Sequence, residues 1–260
     1  MQNFVKHYIV PILVKRRWTR VCEIGASRGV STQVLAALPG IAVTVIDPCL
    51  DCDLNQTFAR NPHLTIRKGT SLEVLPSLQE VFDCILIDGD HNWYTVYHEL
   101  KVITVRNLLR RGGMMFLHDV EWPWGRRDMY YQPESIPQEH RHSWEQRGIV
   151  QGQAELSDSG GFLPEYCKAK YEGGARNGVL TAIEDFLREH SDEYRFFAVR
   201  GDCGLGVMYR RQSFAYDLRF SALNAKNSAH NALAWLKQFT KVHFPAAISL
   251  AKLLEVRGSD

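Results

Sequence analysis

Along the first 120 residues, short apolar runs alternate with segments of helical period. Residues 20–24 (Arg-Val-Cys-Glu-Ile), 41–46, 64–67, 82–87 and 114–117 read as strands. The fourth is almost wholly apolar, as expected of a strand covered on both faces. Residues 31–38, 71–79 and 94–110 read as helices, the first stopped by Pro39-Gly40 and the third by Gly112-Gly113. Strict alternation of this kind predicts a doubly wound, mostly parallel α/β sheet. Between 120 and 174 the period is lost, interrupted by Trp122, Pro123, Trp124, Pro133, Pro137 and Pro164. An irregular stretch of that length inside a domain is more often functional than accidental, and we read it as a lid. A helix returns at 178–190, followed by strands at 194–199 and 206–210 around Gly201-Asp202-Cys203-Gly204. That turn is short enough for a hairpin, which puts an antiparallel strand at the end of a seven-stranded sheet. Residues 213–260 read as helices divided at Pro245. The expected division is an N-terminal helix over 1–18, a sheet domain over 19–211 with the lid inserted, and a C-terminal helical extension over 212–260.

Composition narrows the class. The 260 residues are 45% hydrophobic and 23% charged, close to an average soluble domain. A net charge of +2 gives no general drive toward nucleic acid or anionic lipid. Six cysteines are too few for a disulfide scaffold, so a reduced, cytoplasmic setting is expected. No apolar run reaches the ~18 residues of a transmembrane helix. The start of the chain, with Lys6, Pro11, Lys15, Arg16 and Arg17, lacks the order of a signal peptide. Cys49-x-x-Cys52 has neither a second cysteine pair nor the context of a redox motif.

The chemistry concentrates at strand ends. Residues 21–29 run Val-Cys-Glu-Ile-Gly-Ala-Ser-Arg-Gly: a strand, a tight turn, then a helix. Glu23 replaces the first glycine of a dinucleotide fingerprint. Gly25 and Gly29 let a ligand approach the backbone closely, and the following helix start favours an anionic group such as a carboxylate. Asp47, 24 residues after Glu23 at the end of the second strand, is placed to accept from ribose hydroxyls.

Over residues 19–211 the chain resembles the class I S-adenosylmethionine-dependent methyltransferases. The marks are Glu23-Ile24-Gly25, Asp47, Lys68-Gly69-Thr70-Ser71, Ile87-Asp88-Gly89-Asp90-His91 and Gly112-Gly113. The resemblance implies that Glu23 and Gly25 lie by the methionine part of the cofactor and Asp47 by the ribose, with Ser27 also at the cofactor. It further implies Gly69, Thr70 and Ser71 near the adenine, with Asp88 also at the cofactor. Residues 82–91 followed by Phe116-Leu117-His118-Asp119 are similar to the cation-dependent O-methyltransferases of the catechol and macrolide-sugar type. Carried over residue by residue, the metal ligands are Asp88, His118 and Asp119, at ends of neighbouring strands. His118 stands where that family usually has a carboxylate; Mg²⁺ prefers oxygen, whereas imidazole suits Mn²⁺ and its neighbours. His91, Asp90 and His118 are the candidate general bases.

In the lid, Trp122, Trp124, Tyr130 and Tyr131 suit the faces of sugar or aromatic rings. Arg126 and Arg127, with Arg141 and Arg147, suit a carboxylate or phosphate. The plainer alternatives are a small core of the lid itself and a solvated basic face. The expected function is O-methylation of a small-molecule hydroxyl, with a sugar, glycan or glycosylated metabolite preferred, in polysaccharide or natural-product biosynthesis. Two rivals are a nicotinamide-dependent oxidoreductase and a non-catalytic cofactor-binding module of a biosynthetic assembly. Nucleic-acid methylation ranks lower, because the Asn/Asp-Pro-Pro-aromatic motif is absent. The C-terminal helices, with Trp235-Leu236 and 248–254, are expected to pack on the domain or to join a homo-oligomer.

Overall fold

Six consecutive buried residues, Phe82–Ile87, form the central strand β4, and the apolar runs on either side of it in sequence complete its neighbours. The computed structural model describes residues 1–49, 61–212, 218, 221, 222 and 224–228. The chain divides into two compact units, Met1–Ser213 and Phe214–Asp260.

In the first unit, helical turns over Gln2–Phe4 and Val5–Ile9 lead into α1 (Val10–Arg16). The sheet is built from β1 (Arg20–Ile24), β2 (Ala42–Asp47), β3 (Leu64–Lys68), β4, β5 (Leu109–His118), β9 (Tyr194–Val199) and β10 (Leu205–Arg210). Its order is β3-β2-β1-β4-β5-β10-β9. All neighbours are parallel except β10, which runs antiparallel to both β5 and β9. The seven-stranded α/β sheet expected from the alternation is therefore present, with its antiparallel end. Helices α2 (Val30–Ala36), α3 (Ser71–Val74), α4 (Trp93–Val105) and α5 (Val179–His190) complete the described unit. Register brings Glu23 opposite Leu86, Asp47 opposite Lys68 and His118 opposite Leu205, so the carboxyl ends of β1, β2, β4 and β5 share one edge.

Three expectations need correction. The helix read over 94–110 stops at Val105, and the strand read over 114–117 begins at Leu109. Asn107, at φ 55°, turns the chain, and Leu109 pairs with Phe82 before a register shift between Phe82 and Cys84. Gly113 sits at that bulge, where a Cβ would lie 2.8 Å from the Asp83 carbonyl oxygen. The glycine pair thus serves a strand bulge, not a helix stop. The helix read over 71–79 is one turn, α3, continued by a 3₁₀ turn over Leu75–Ser77, because Pro76 cannot donate its missing N–H.

The third correction concerns the lid. It holds its own antiparallel sheet of β6 (Met129–Tyr130), β7 (Trp144–Gln146) and β8 (Cys167–Ala169), in the order β6-β8-β7. With few apolar residues to bury, this sheet is held by buried cations. Lys168 is fully buried, and its ammonium donates to the carbonyls of Arg147, Leu163 and Tyr166, each at 2.7 Å. Burial pushes Lys168 down to about 8, yet three acceptors match its three N–H bonds. Replacing Lys168 by Met orphans three carbonyls, and stability is expected to fall by about 3–5 kcal/mol. Urea unfolding checks this; an unchanged midpoint would mean that other contacts hold the lid.

Candidate active site

The strand-to-helix turn after β1 is tied down by the residue read as the ribose acceptor. Asp47 is buried; its Oδ2 accepts from the N–H of Ala26 at 2.8 Å and of Ser27 at 2.9 Å, and its Oδ1 from Cys49 N–H at 2.8 Å. Its first role in this chain is to shape the turn. Glu23 is 2% exposed and accepts from the Thr32 hydroxyl. Burial raises its pKa, and the nearby Asp88 and Asp47 add to the rise against Thr32, to about 7. Gly25 corrects another expectation. A Cβ there would lie 2.3 Å from Gly89 Cα and 2.5 Å from the Asp88 carbonyl oxygen. The missing side chain thus makes room for the neighbouring loop.

At the β3 end, Thr70 forms a capping box with Glu73: the Thr70 N–H and hydroxyl donate to Glu73 Oε2 at 3.0 and 2.8 Å. Its hydroxyl is therefore engaged within the turn. Gly69 has φ 148°, Ser71 is buried behind it, and Ser27 is exposed on the first turn.

At the ends of β4 and β5, three donors converge. His118 Nδ1 lies 3.0 Å from Asp88 Oδ1 and 2.9 Å from Asp119 Oδ2, and the ligating atoms of all three residues fall within 4.8 Å of one another. Burial opposes a charge on His118, but hydrogen bonds to Asp119 and Asp88 win and lift it to about 9. Burial likewise pushes the Asp119 carboxyl up, while His91 and His118 more than offset it and hold it below the usual range. Asp119 adopts φ 63°, a left-handed conformation that aims its carboxylate at both imidazoles. His91 Nδ1 is 3.4 Å from Asp119 Oδ2, and its Nε2 is 3.4 Å from the Tyr131 hydroxyl. His118 Nε2 faces the Met1 nitrogen at 2.8 Å, and the Phe4 ring meets it edge-on at 5.9 Å.

Asp90, read as a candidate base, supports the start of α4. Its Oδ1 accepts from His91 N–H at 3.0 Å and its Oδ2 from the Thr95 hydroxyl at 2.9 Å. The cap of α4 is Asn92, whose side chain accepts from Thr95 N–H, which leaves the His91 ring out of capping.

The lid residues divide. Arg126 and Arg127 do not reach the cluster, contrary to expectation. Arg126 makes a two-pronged pair with Glu184 of α5 at 2.7 Å. Arg127 is 1% exposed and donates to the carbonyls of Ala169 and Ala154. Arg141 pairs with Glu134 and Arg147 with Asp158. A loop-rich segment has many backbone carbonyls without ladder partners, and long guanidinium arms supply the donors. Tyr130 is also structural: buried, it donates to Asp128, which accepts from the N–H of Trp93 and Gly178 and so fastens α4 to α5. Trp124 is buried with its ring parallel to His91, centroids 6.4 Å apart. Trp122 is half-buried beside Phe162 at 5.5 Å.

Sequence reasoning missed Asp128, and it named Tyr131 only as one lid aromatic among several. The Tyr131 side chain is the exposed ring facing His91, with Tyr166 set edge-on at 6.0 Å. Cys49 is exposed, while Cys52 and the residues at 235–236 and 248–254 lie outside the described residues.

Among curated proteins none matches this chain in sequence. Residues 22–120 match the family model of a methyltransferase domain, a span running from β1 through Val120 and containing Glu23, Asp47, Asp88, His118 and Asp119. By this match residues 22–120 form a methyltransferase domain. The chain's fold is similar to that of the SAH-bound methyltransferase PaMTH1 from Podospora anserina, with a TM-score of 0.51 and 13% identity over 79% of this chain and 77% of that one. A further similarity is to the O-methyltransferase TomG from Streptomyces achromogenes, with a TM-score of 0.46 and 14% identity over 78% and 77% of the two chains. Among the described residues of the methyltransferase, no helix is long and apolar enough to cross a membrane.

The cofactor suits the residues present. Glu23, Asp47 and Asp88 place three carboxyl groups around the first turn; burial chiefly, and then the charges of Asp88 and Asp47, raise Glu23. Such a set favours the ammonium and sulfonium charges of S-adenosylmethionine and disfavours the pyrophosphate of a nicotinamide dinucleotide. A divalent ion also suits the methyltransferase. Asp88, His118 and Asp119 offer two carboxylates and an imidazole within 4.8 Å of one another, a donor set that can hold such an ion.

Proposed function

We propose that this methyltransferase carries a methyl group to a hydroxyl oxygen of a small, uncharged, ring-bearing acceptor: a sugar, a glycan or a glycosylated metabolite. We further propose that Asp88, His118 and Asp119 hold a divalent ion there, Mn²⁺ suiting the imidazole better than Mg²⁺. The observation that carries this reading is the convergence of these three residues beside His91, next to the exposed ring of Tyr131. Bound cofactor supplies a methyl on a sulfonium, and a divalent ion there acidifies a hydroxyl. His91 Nε2 would take the proton that the acceptor hydroxyl loses as its oxygen receives the methyl. Asp119 keeps His91 turned for this through Nδ1. Tyr131, Tyr166 and Trp122 offer ring faces to the acceptor. Because Arg126, Arg141 and Arg147 are paired and Arg127 is buried, an uncharged acceptor fits better than an anionic one.

The test is chelation. After exhaustive EDTA treatment, methyl transfer from labelled S-adenosylmethionine to neutral hydroxylated glycosides is expected to fall at least ~10²-fold, with Mn²⁺ restoring it better than Ca²⁺. Undiminished transfer after EDTA would remove the metal and leave His91 as the base. Faster transfer to phosphorylated or carboxylated analogues would overturn the uncharged acceptor.

A further inference from the structure

Between α4, α5 and the turn that returns the lid to α5 lies a cavity of about 630 Å³, and none of its lining residues belongs to the reaction centre. That volume suits a small ring-bearing molecule. Its aromatic wall is centred on Trp93, with the Tyr97 ring stacked at 4.8 Å and the His140 ring at 5.8 Å between centroids. The acids in the wall are already partnered. Glu184 pairs with Arg126, Asp185 with Arg188 and the Trp93 Nε1–H, and Glu189 with Lys101 and the Tyr97 hydroxyl. Arg176 differs. Its guanidinium sits 5.3 Å from the centroid of the Trp93 ring, and it stands in no ion pair among the described residues. A guanidinium seated on an indole is attracted by the ring face and keeps N–H donors along its edge.

The backbone fixes this placement. Arg176 adopts φ 55°, a conformation that residues other than glycine seldom take. Its carbonyl accepts from His142 Nε2 at 2.9 Å. The next residue, Asn177, is buried; its side chain donates to the carbonyls of Tyr171 and Gly173 at 2.9 and 2.7 Å and accepts from Asp128 N–H at 2.7 Å. A left-handed arginine is kept only where the surroundings impose it, so the fold specifies where this cation stands.

We propose that this cavity binds a small ring-bearing anion, a carboxylate or a phosphate, held by a two-pronged contact from Arg176 with its ring against the Trp93, Tyr97 and His140 wall. The inference goes beyond the methyl-transfer reading and does not depend on it. Because the wall's acids are neutralised by their own partners, one positive charge is left for a ligand. A cationic ligand would have to displace Arg176 from Trp93 and would meet no free carboxylate.

The experiment uses the full chain saturated with S-adenosylhomocysteine, so that the cofactor edge is filled, and calorimetry with phenyl phosphate, benzoate, inorganic phosphate and benzamidine. Phenyl phosphate or benzoate is expected to bind at one site, about 10-fold or more tighter than inorganic phosphate, because only the former bury a ring. The tighter of the two tells phosphate from carboxylate. Arg176→Ala is expected to weaken that binding by about 10-fold or more, and Arg176→Lys, which keeps the charge without the fork, by less. S-adenosylhomocysteine affinity is expected to stay parental in both variants. No saturable binding of phenyl phosphate or benzoate by the parent at millimolar concentration would overturn the proposal. So would equal affinity in the parent and both variants, which places the anion elsewhere, or tighter binding of benzamidine, which makes this a cation site. Inorganic phosphate binding as tightly as phenyl phosphate would refute the role of the aromatic wall.

Discussion

Asp119→Asn is expected to lower turnover by about 10²–10⁴-fold while leaving S-adenosylhomocysteine affinity nearly unchanged. One carboxylate oxygen, Oδ2, faces His118 Nδ1 at 2.9 Å and His91 Nδ1 at 3.4 Å. Removing its charge leaves His118 facing Asp88 alone and frees the His91 ring to turn. Asn is the informative replacement because it tolerates the left-handed backbone of this position, φ 63°, better than Ala does. The cofactor turn after β1 is built by Asp47 and is untouched by the change. Single-turnover rates together with calorimetry check this. Equal loss of rate and cofactor affinity would place Asp119 in cofactor binding instead.

Gly25→Ala is expected to destabilise the protein by more than about 3 kcal/mol and to lose cofactor binding as a consequence. The added methyl meets backbone, not a flexible side chain: Gly89 Cα at 2.3 Å and Gly89 N at 2.5 Å. The position also has φ 82°, which an L side chain adopts only with strain. Neither loop can retreat, because Gly25 N–H donates to the Ile46 carbonyl and Asp88 N–H to the Ile24 carbonyl, both at 2.9 Å. Urea unfolding monitored by circular dichroism gives the stability, and calorimetry gives the affinity. A variant of parental stability that no longer binds S-adenosylhomocysteine would show that the glycine serves the ligand directly.

The sequence by itself determined the sheet and which residues stand at its reactive edge. The apolar runs of β1, β2, β4 and β5 and the glycine turns between them are local patterns, and local patterns specify element type and side-chain face. Once those strands are parallel, Glu23, Asp47, Asp88, His118 and Asp119 must share an edge, whatever else the chain does. Element ends were less legible: Gly112-Gly113 has the composition of a helix stop, and only the pairing of Leu109 with Phe82 and of Met114 with Cys84 on either side of the bulge reveals a strand. Tertiary structure alone decided the partners of the polar groups. Arg127 and Lys168 look from sequence like any surface cations, and they are buried because loop carbonyls from distant residues needed donors. Asp47 was legible as an acid at a strand end but not as the acceptor of three backbone N–H groups. Periodicity is set by near neighbours along the chain, whereas a hydrogen-bond partner is set by which surfaces the folded chain presses together.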